Sequence, residues 1–300
     1  MIDVQRLRVL RAVADHGSFN RAAAALRLTP SAVSQHVAAL ERALDVTVVT
    51  RSTRGVTLTR AGLIMVSAAE SVDAELTHAR ARIQRLGTGR TRLTIATFTS
   101  GGRLLLPTAL ARLTADHPDI LLHVREAEPG DSLRLVREGT ADLALAYHFD
   151  GPLPGRRTGL EWTALLADPL RLVLPETHRL AGRACLDLAE LAAEPWVLGC
   201  LHTEAYLRRY AERAGFEPEV RGTTTDYFFA CSLVAAGVGV SLIPSIALTS
   251  PPPGVRAIPV AEPAPTRHIG VATIGRRRAD APVAALIRAL EEQTAAGPGS

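Results

Sequence analysis

The sequence of 300 residues has no lysine, so all 34 of its basic residues are arginine. A coding bias toward GC-rich codons accounts for that, and no function follows from it. No apolar run approaches the roughly 20 residues a membrane-spanning helix needs. The first residues enter an amphipathic pattern (Leu7, Leu10, Val13, Ala14) without a signal-peptide arrangement, so a cytoplasmic protein is expected. Three cysteines, Cys185, Cys200 and Cys231, are too few and too widely spaced for a disulfide framework or a zinc site, and buried or idle thiols are expected. The histidines show no His-x-x-x-His spacing, and Cys-x-x-Cys, Gly-x-Ser-x-Gly and phosphate-loop motifs are missing. Gly237-Val238-Gly239 leads into a strand pattern instead of a helix, unlike a dinucleotide fingerprint. These absences argue against an enzyme, a metal site and a bound cofactor.

With 47% apolar and 21% charged residues, there is ample material for two or three compact domains. The net charge of +4 is unevenly spread. Residues 1–90 hold 13 arginines against 7 acids, whereas residues 91–300 hold 21 against 23. The basic excess therefore sits in the first third, as phosphate binding requires.

That third contains the most informative stretch, residues 18–59. Ser18 is a good N-cap for a short helix carrying Ala22, Ala23 and Leu26. Thr29 caps a second helix with Pro30 at its first position, where a missing N–H costs nothing. Val33, Val37, Leu40 and Leu44 fall at helical steps on one stripe. Ser31, Ser34, Gln35 and Ala38 remain on another face, short, polar and acid-free, as a helix in a DNA major groove needs. Ser34 and Gln35 are placed to reach base edges, glutamine pairing best with adenine. Thr29, Pro30 and Ser31 open the helix where backbone N–H groups hold phosphate. His36 lies beside this face and is expected in solvent or on the backbone. A hairpin follows with Arg51 and Arg54 at its tip, suited to phosphate or minor-groove contact.

Over about 60 residues the chain resembles the winged helix-turn-helix of the LysR-type bacterial transcription regulators. The likeness rests on Gly17-Ser18-Phe19, Ala22-Ala23, Leu26, Thr29, Ala32-Val33-Ser34-Gln35, Leu40-Glu41, Leu44, Arg51, Arg54 and Leu58-Thr59-Ala61-Gly62. The family commonly has Gln-Pro where Pro30-Ser31 stands, Gly at Asp45, and Leu-Phe at Val48-Val49. The first departure changes a base-reading position, so operator preference does not carry over.

Thr59 is expected to cap a long helix to about Leu86. In it Val72, Leu76, Ala79, Ile83 and Leu86 form a coiled-coil seam for dimerisation. A dimer is preferred because one helix-turn-helix reads only half of a two-fold operator. Gly87-Thr88-Gly89 marks a boundary. Beyond it strands and helices alternate, predicting βαβ units and a mostly parallel sheet. The expected strands are 92–96, 120–125, 143–147, 170–174, 196–198, 218–222, 239–242 and 269–273. Helices are expected from Ser100, at 132–137, 187–192, 204–214, 226–236 and 282–294. Two α/β lobes with a late return to the first resemble the periplasmic-binding-protein-like effector domain of the same family. The domains are then a winged helix-turn-helix (1–59), a linker helix (60–90) and an effector domain (91–300). Lobe I of the last comprises 91–161 and 266–300, and lobe II 162–265.

Ligands of open α/β sheets sit at the carboxyl ends of strands. Thr97-Phe98-Thr99-Ser100-Gly101-Gly102 offers hydroxyls and a helix start there, with Ser100 as the cap, suited to an anionic or hydroxylated metabolite. Other strand ends bring His148, Cys200, His202 and Thr203, and Tyr227 opens a later helix on the same side. Thr97, Thr99, Ser100, His148, Cys200, His202, Thr203 and Tyr227 are thus the candidate effector residues. The reading is a LysR-type regulator, a homodimer or dimer of dimers, that binds a double-stranded operator and responds to a small molecule. One alternative is a redox-sensing regulator using Cys200 or Cys231, although their spacing differs from the short loop of the peroxide sensors of this family. The other is a solute-binding module or an enzyme on the same scaffold.

Overall fold

A computed structural model describes residues 2–52, 55–86, 91–149, 159–200 and 204–295. They fall into two compact units: the described residues up to 86 with 134–140 and 159–160, and the remainder.

The first unit is built on α1 (Val4–His16), α2 (Phe19–Leu26), α3 (Pro30–Leu44), the hairpin β1 (Val49–Ser52) and β2 (Gly55–Leu58), and α4 (Arg60–Leu86). Its core joins Val9, Leu10 and Val13 of α1 to Ala22 and Ala23 of α2 and to Val33, Val37 and Leu40 of α3. The paired alanines keep α2 slim, so the three helices close on one another. α1 ends on Gly17, while α2 and α3 end on Arg27 and Asp45 in the left-handed region. Aspartate is among the few side chains that tolerate that conformation, which is how Asp45 stands where the family has glycine. Thr29 caps α3 as expected, accepting from Ala32 N at 3.1 Å. Thr59 caps α4 through Gly62 N at 3.1 Å. Ser18 holds the N-cap position of α2, but its side chain makes no capping bond. Asp73 of α4 accepts from Arg8 Nε at 2.8 Å and Arg11 Nη1 at 2.9 Å, fixing α4 to α1.

From residue 91 the elements are β3 (Thr91–Thr97), α5 (Thr99–Leu104), α6 (Leu106–Asp116), β4 (Ile120–Glu126), α7 (Pro129–Arg137), β5 (Leu143–His148) and β6 (Leu160–Pro175). They continue with β7 (Pro195–Leu198), α8 (Glu204–Arg213), β8 (Glu219–Thr223), α9 (Tyr227–Ala235), β9 (Ser241–Pro244), β10 (Val255–Pro259), β11 (Thr266–Ile274) and α10 (Ala281–Ala295). Seven strands join in the order β10-β6-β11-β5-β3-β4, with β9 also on β6, and β7 pairs with β8. The sheet is mixed, not mostly parallel: β3 is parallel to β4 and β5, but β11 runs antiparallel to β5, and β9 and β10 antiparallel to β6.

Other departures have local causes. β6 is far longer than the predicted 170–174, because Glu161, Asp168 and Pro169 interrupt its apolar signal. The predicted helix at 187–192 is one 3₁₀ turn, Leu188–Leu191, held by a capping box between Asp187 and Glu190. The strand predicted at 239–242 is displaced to Ser241–Pro244. Gly239 instead passes so close to the backbone at Pro195 that a Cβ would stand 2.4 Å from its carbonyl oxygen. β10 was not anticipated.

Candidate nucleic-acid interface and ligand cleft

On α3 the valines and Leu40 are sealed in the core, which leaves Thr29, Pro30, Ser31 and Gln35 exposed and Ser34 half-buried. The first turn has no acid. Arg51 of β1 lies across to this helix: its Nη2 donates to Ser34 Oγ at 3.1 Å, and its guanidinium stands 4.3 Å from the Phe19 ring centre. Two expected DNA residues, one on the helix and one on the wing, are therefore joined, with an aromatic face behind them. Arg54 lies outside the described residues.

The wing itself is pinned. Val56 N donates to Gly17 O at 3.1 Å. Gly55 has φ of +127°, and a Cβ there would approach Gly17 O to 2.9 Å. Glu41 Oε1 accepts from Val48 N at 2.8 Å and Val49 N at 3.3 Å, which ties the end of α3 to the start of β1. Sequence reasoning gave Phe19 and Glu41 no role. For Glu41 the signal was there, since it is the one acid on a helix whose other face must stay acid-free.

On α4, Val72 is half-buried, whereas Leu76 and Ile83 are 41% and 67% exposed. Leu63 and Ile64, nearer its start, are exposed as well. Within one chain this helix carries apolar surface without cover.

In the second unit, Thr97, Ser100, Tyr147, Cys200 and Tyr227 are all buried. The structure corrects the expected cap. Phe98 occupies the N-cap of α5 with no side-chain bond, and Ser100 lies inside the first turn. Its Oγ accepts from Arg267 Nη2 at 2.9 Å. Thr99 Oγ1 donates to Glu126 Oε1 at 2.7 Å, and Thr97 Oγ1 to the Phe98 carbonyl at 3.2 Å. The threonine hydroxyls expected to meet an effector thus donate to the protein, while the Ser100 oxygen accepts from Arg267.

Their organiser, Arg267 of β11, is 0% exposed and escaped the sequence reading. Nε donates to Asp168 Oδ2 at 2.8 Å, and Asp168 Oδ1 accepts from Ile246 N at 3.0 Å. Around the guanidinium stand the rings of Tyr147, Phe98 and Tyr227, with centres 5.0, 5.1 and 5.8 Å away. Nη1 has no hydrogen-bond partner among the described residues. Strand alternation was the available clue, since Arg267 shares its face with Ile269 and Val271, both fully buried. Tyr147 donates to Glu128 Oε2 at 2.7 Å. Burial first, then the neighbouring Tyr227 and Glu128, hold its phenol protonated far above the usual range.

Not every expected residue joins this group. His148 follows Tyr147 on β5, so the alternation turns it to the opposite face. There its Nδ1 lies 2.7 Å from Phe149 O, and its ring stacks on His268 with centres 5.2 Å apart. His202 and Thr203 lie outside the described residues. Cys231 is buried in α9, its thiol pushed up to about 11 by burial and then by Asp226. Among the described residues no cluster of three or more His, Cys, Asp or Glu could hold a metal, and no helix is long and apolar enough to cross a membrane.

Comparison with known proteins agrees with both halves of this geometry. Residues 4–63 match the "bacterial regulatory helix-turn-helix protein, lysR family", and residues 87–295 match the "LysR substrate binding domain". The chain is 31% identical over 271 residues to the uncharacterized HTH-type transcriptional regulator YnfL of Escherichia coli strain K12, covering 87% of this chain and 88% of that protein. It is 32% identical over 276 residues to a probable hydrogen peroxide-inducible genes activator of Mycobacterium avium, covering 88% and 86%. The crystal structure of full-length BenM shares the fold, with a TM-score of 0.60 at 20% identity over 98% of this chain and 97% of that one.

Proposed function

The chain belongs to the LysR family of bacterial transcriptional regulators, and from that premise we propose how its own residues carry the function. It is a LysR-type DNA-binding regulator with a two-lobed effector domain. The proposed boundaries are 1–59 for the winged helix-turn-helix, 60–90 for the linker helix and 91–300 for the effector domain. α3 enters the major groove, Ser34 and Gln35 reading base edges while Thr29, Pro30 and Ser31 meet phosphate. Arg51, with Arg54 beyond it, holds the wing against the DNA backbone. The Arg51–Ser34 bond carries this reading, because it links wing to helix in the arrangement both need on DNA.

Val72, Leu76 and Ile83 of α4 meet the same helix of a second copy, which places two reading helices on one two-fold site. A dimer of dimers extends the arrangement. The effector enters the cleft at Thr97, Thr99, Ser100, Cys200 and Tyr227, beside Arg267, and shifts the balance between two quaternary states by binding one better. The protein acts in the cytoplasm, where its operator is, and performs no catalysis. A redox reading, suggested by the name of the Mycobacterium avium relative, finds less support. Cys231 is a buried thiol with a raised pKa, the opposite of a peroxide-reactive site, and Cys200 is buried too.

The test is fluorescence anisotropy of full-length protein on DNA from upstream of its own gene. Binding should tighten over random DNA, and a metabolite that alters transcription should bind with an affinity that Ser100→Ala lowers about tenfold.

A further inference from the structure

The charge around Arg267 says which class of molecule the cleft takes. Its guanidinium is already balanced by Asp168, both oxygens of which are occupied. Three more carboxylates are tied to the same group of side chains: Glu126 through Thr99, Glu128 through Tyr147, and Asp226 at the N-cap of the helix that Tyr227 opens. Arg103, on the same helix as Ser100, stacks 3.6 Å over the Phe228 ring. A plain anion entering here meets these carboxylates, and Thr97 and Thr99 have their hydroxyl protons committed to the protein. Yet Arg267 Nη1 is a donor on a side chain that is 0% exposed, with no acceptor among the described residues. Leaving such a donor unmade is costly, so an oxygen acceptor belongs at that point, from a ligand or from a bound water that a ligand displaces.

We propose that the cleft selects a zwitterion of the amino-acid class, with one carboxylate oxygen on Arg267 Nη1 and the ammonium held by the carboxylates of Glu128 and Glu126. This rests on the reading of the cleft as the effector site. The ligand's own positive charge offsets its carboxylate, and the acids that would repel a simple anion become its partners. Glu128, half-buried and oriented by the Tyr147 hydroxyl, is the main one.

The test compares the proteinogenic L-amino acids with the 2-oxo acids of the same carbon skeletons, which keep the carboxylate and lose the ammonium. Binding of each to the full-length protein at millimolar concentration is followed by thermal shift and then calorimetry. At least one amino acid should bind about tenfold or more tighter than its 2-oxo acid. Glu128→Gln should remove most of that preference, and Arg267→Lys should weaken the amino acid by about tenfold or more. Glu128→Gln keeps the hydroxyl partner of Tyr147, so it answers the question even if the arginine variant does not fold. A 2-oxo acid that binds as tightly as its amino acid, or no amino acid binding at all, overturns the proposal. If a 2-oxo acid binds and Ser100→Ala abolishes it, the zwitterion class falls while the cleft stands. An amino acid bound equally well by wild type and both variants places the ligand elsewhere, and both readings fall.

Discussion

Asp168 and Arg267 form a pair withdrawn from water, 2% and 0% exposed. Such a pair adds little net stability when intact, but removing one partner strands a buried charge and costs about 3–5 kcal/mol. Asp168→Ala should therefore lower the unfolding free energy of the second unit, read from its urea transition, by that amount and also release Ile246 N. A change under about 1 kcal/mol would mean the guanidinium reaches water, which its burial denies. Thiol chemistry gives a second residue-level expectation. Cys185 is exposed while Cys200 and Cys231 are buried, the latter with its thiol pushed up to about 11. At neutral pH an aromatic disulfide reagent should find one fast thiol in the native protein, lost in Cys185→Ser. Fast reaction at Cys231 would revive the redox reading. Residues of this kind were hard to read from sequence. Thr99, Ser100 and Tyr227 were legible as candidates because they sit at element ends, where strand and helix patterns change. Arg267 and Asp168 pair across 99 positions inside strands, and no local pattern announces a partner that far away.

At the scale of elements, the wing and α3 act as one piece. Gly55 occupies a left-handed conformation with φ of +127° against Gly17 O, so Gly55→Val should strain the hairpin by about 1–3 kcal/mol. DNA affinity should fall more than stability does, since the hairpin carries Arg51 while α1, α2 and α3 supply most of the core. An unchanged affinity would take the wing off the DNA. Helix α4 makes the complementary prediction. Leu76→Glu or Ile83→Glu replaces exposed apolar side chains, so the single chain should fold normally while sedimentation shows smaller species. A fully dimeric variant would move the interface elsewhere. The helices of the first unit were legible because their apolar steps, caps and turns agree with one another. Element ends were less legible in the second unit. The apolar pattern of β6 is interrupted by charge and Pro169, and Phe98 holds the N-cap of α5 without a capping side-chain bond.

For the whole molecule, the two family matches divide the work as the charge does, the basic first third on DNA and the slightly acidic remainder on a ligand. Two-lobed architecture was readable from alternating elements, but the mixed sheet was not, because the direction of β11 against β5 depends on how a distant segment returns. The central claim is that α3 and the wing read an operator. Its most direct test is anisotropy of the full-length protein on its own upstream DNA and on random DNA across a salt series, with Gln35→Ala and Arg51→Ala alongside. Both DNAs should lose affinity steeply with salt. Gln35→Ala should cost about 1–3 kcal/mol on the operator and little on random DNA, while Arg51→Ala should weaken both and reduce the salt slope by about one. Affinity that is absent, or insensitive to salt and to both substitutions, would contradict the account.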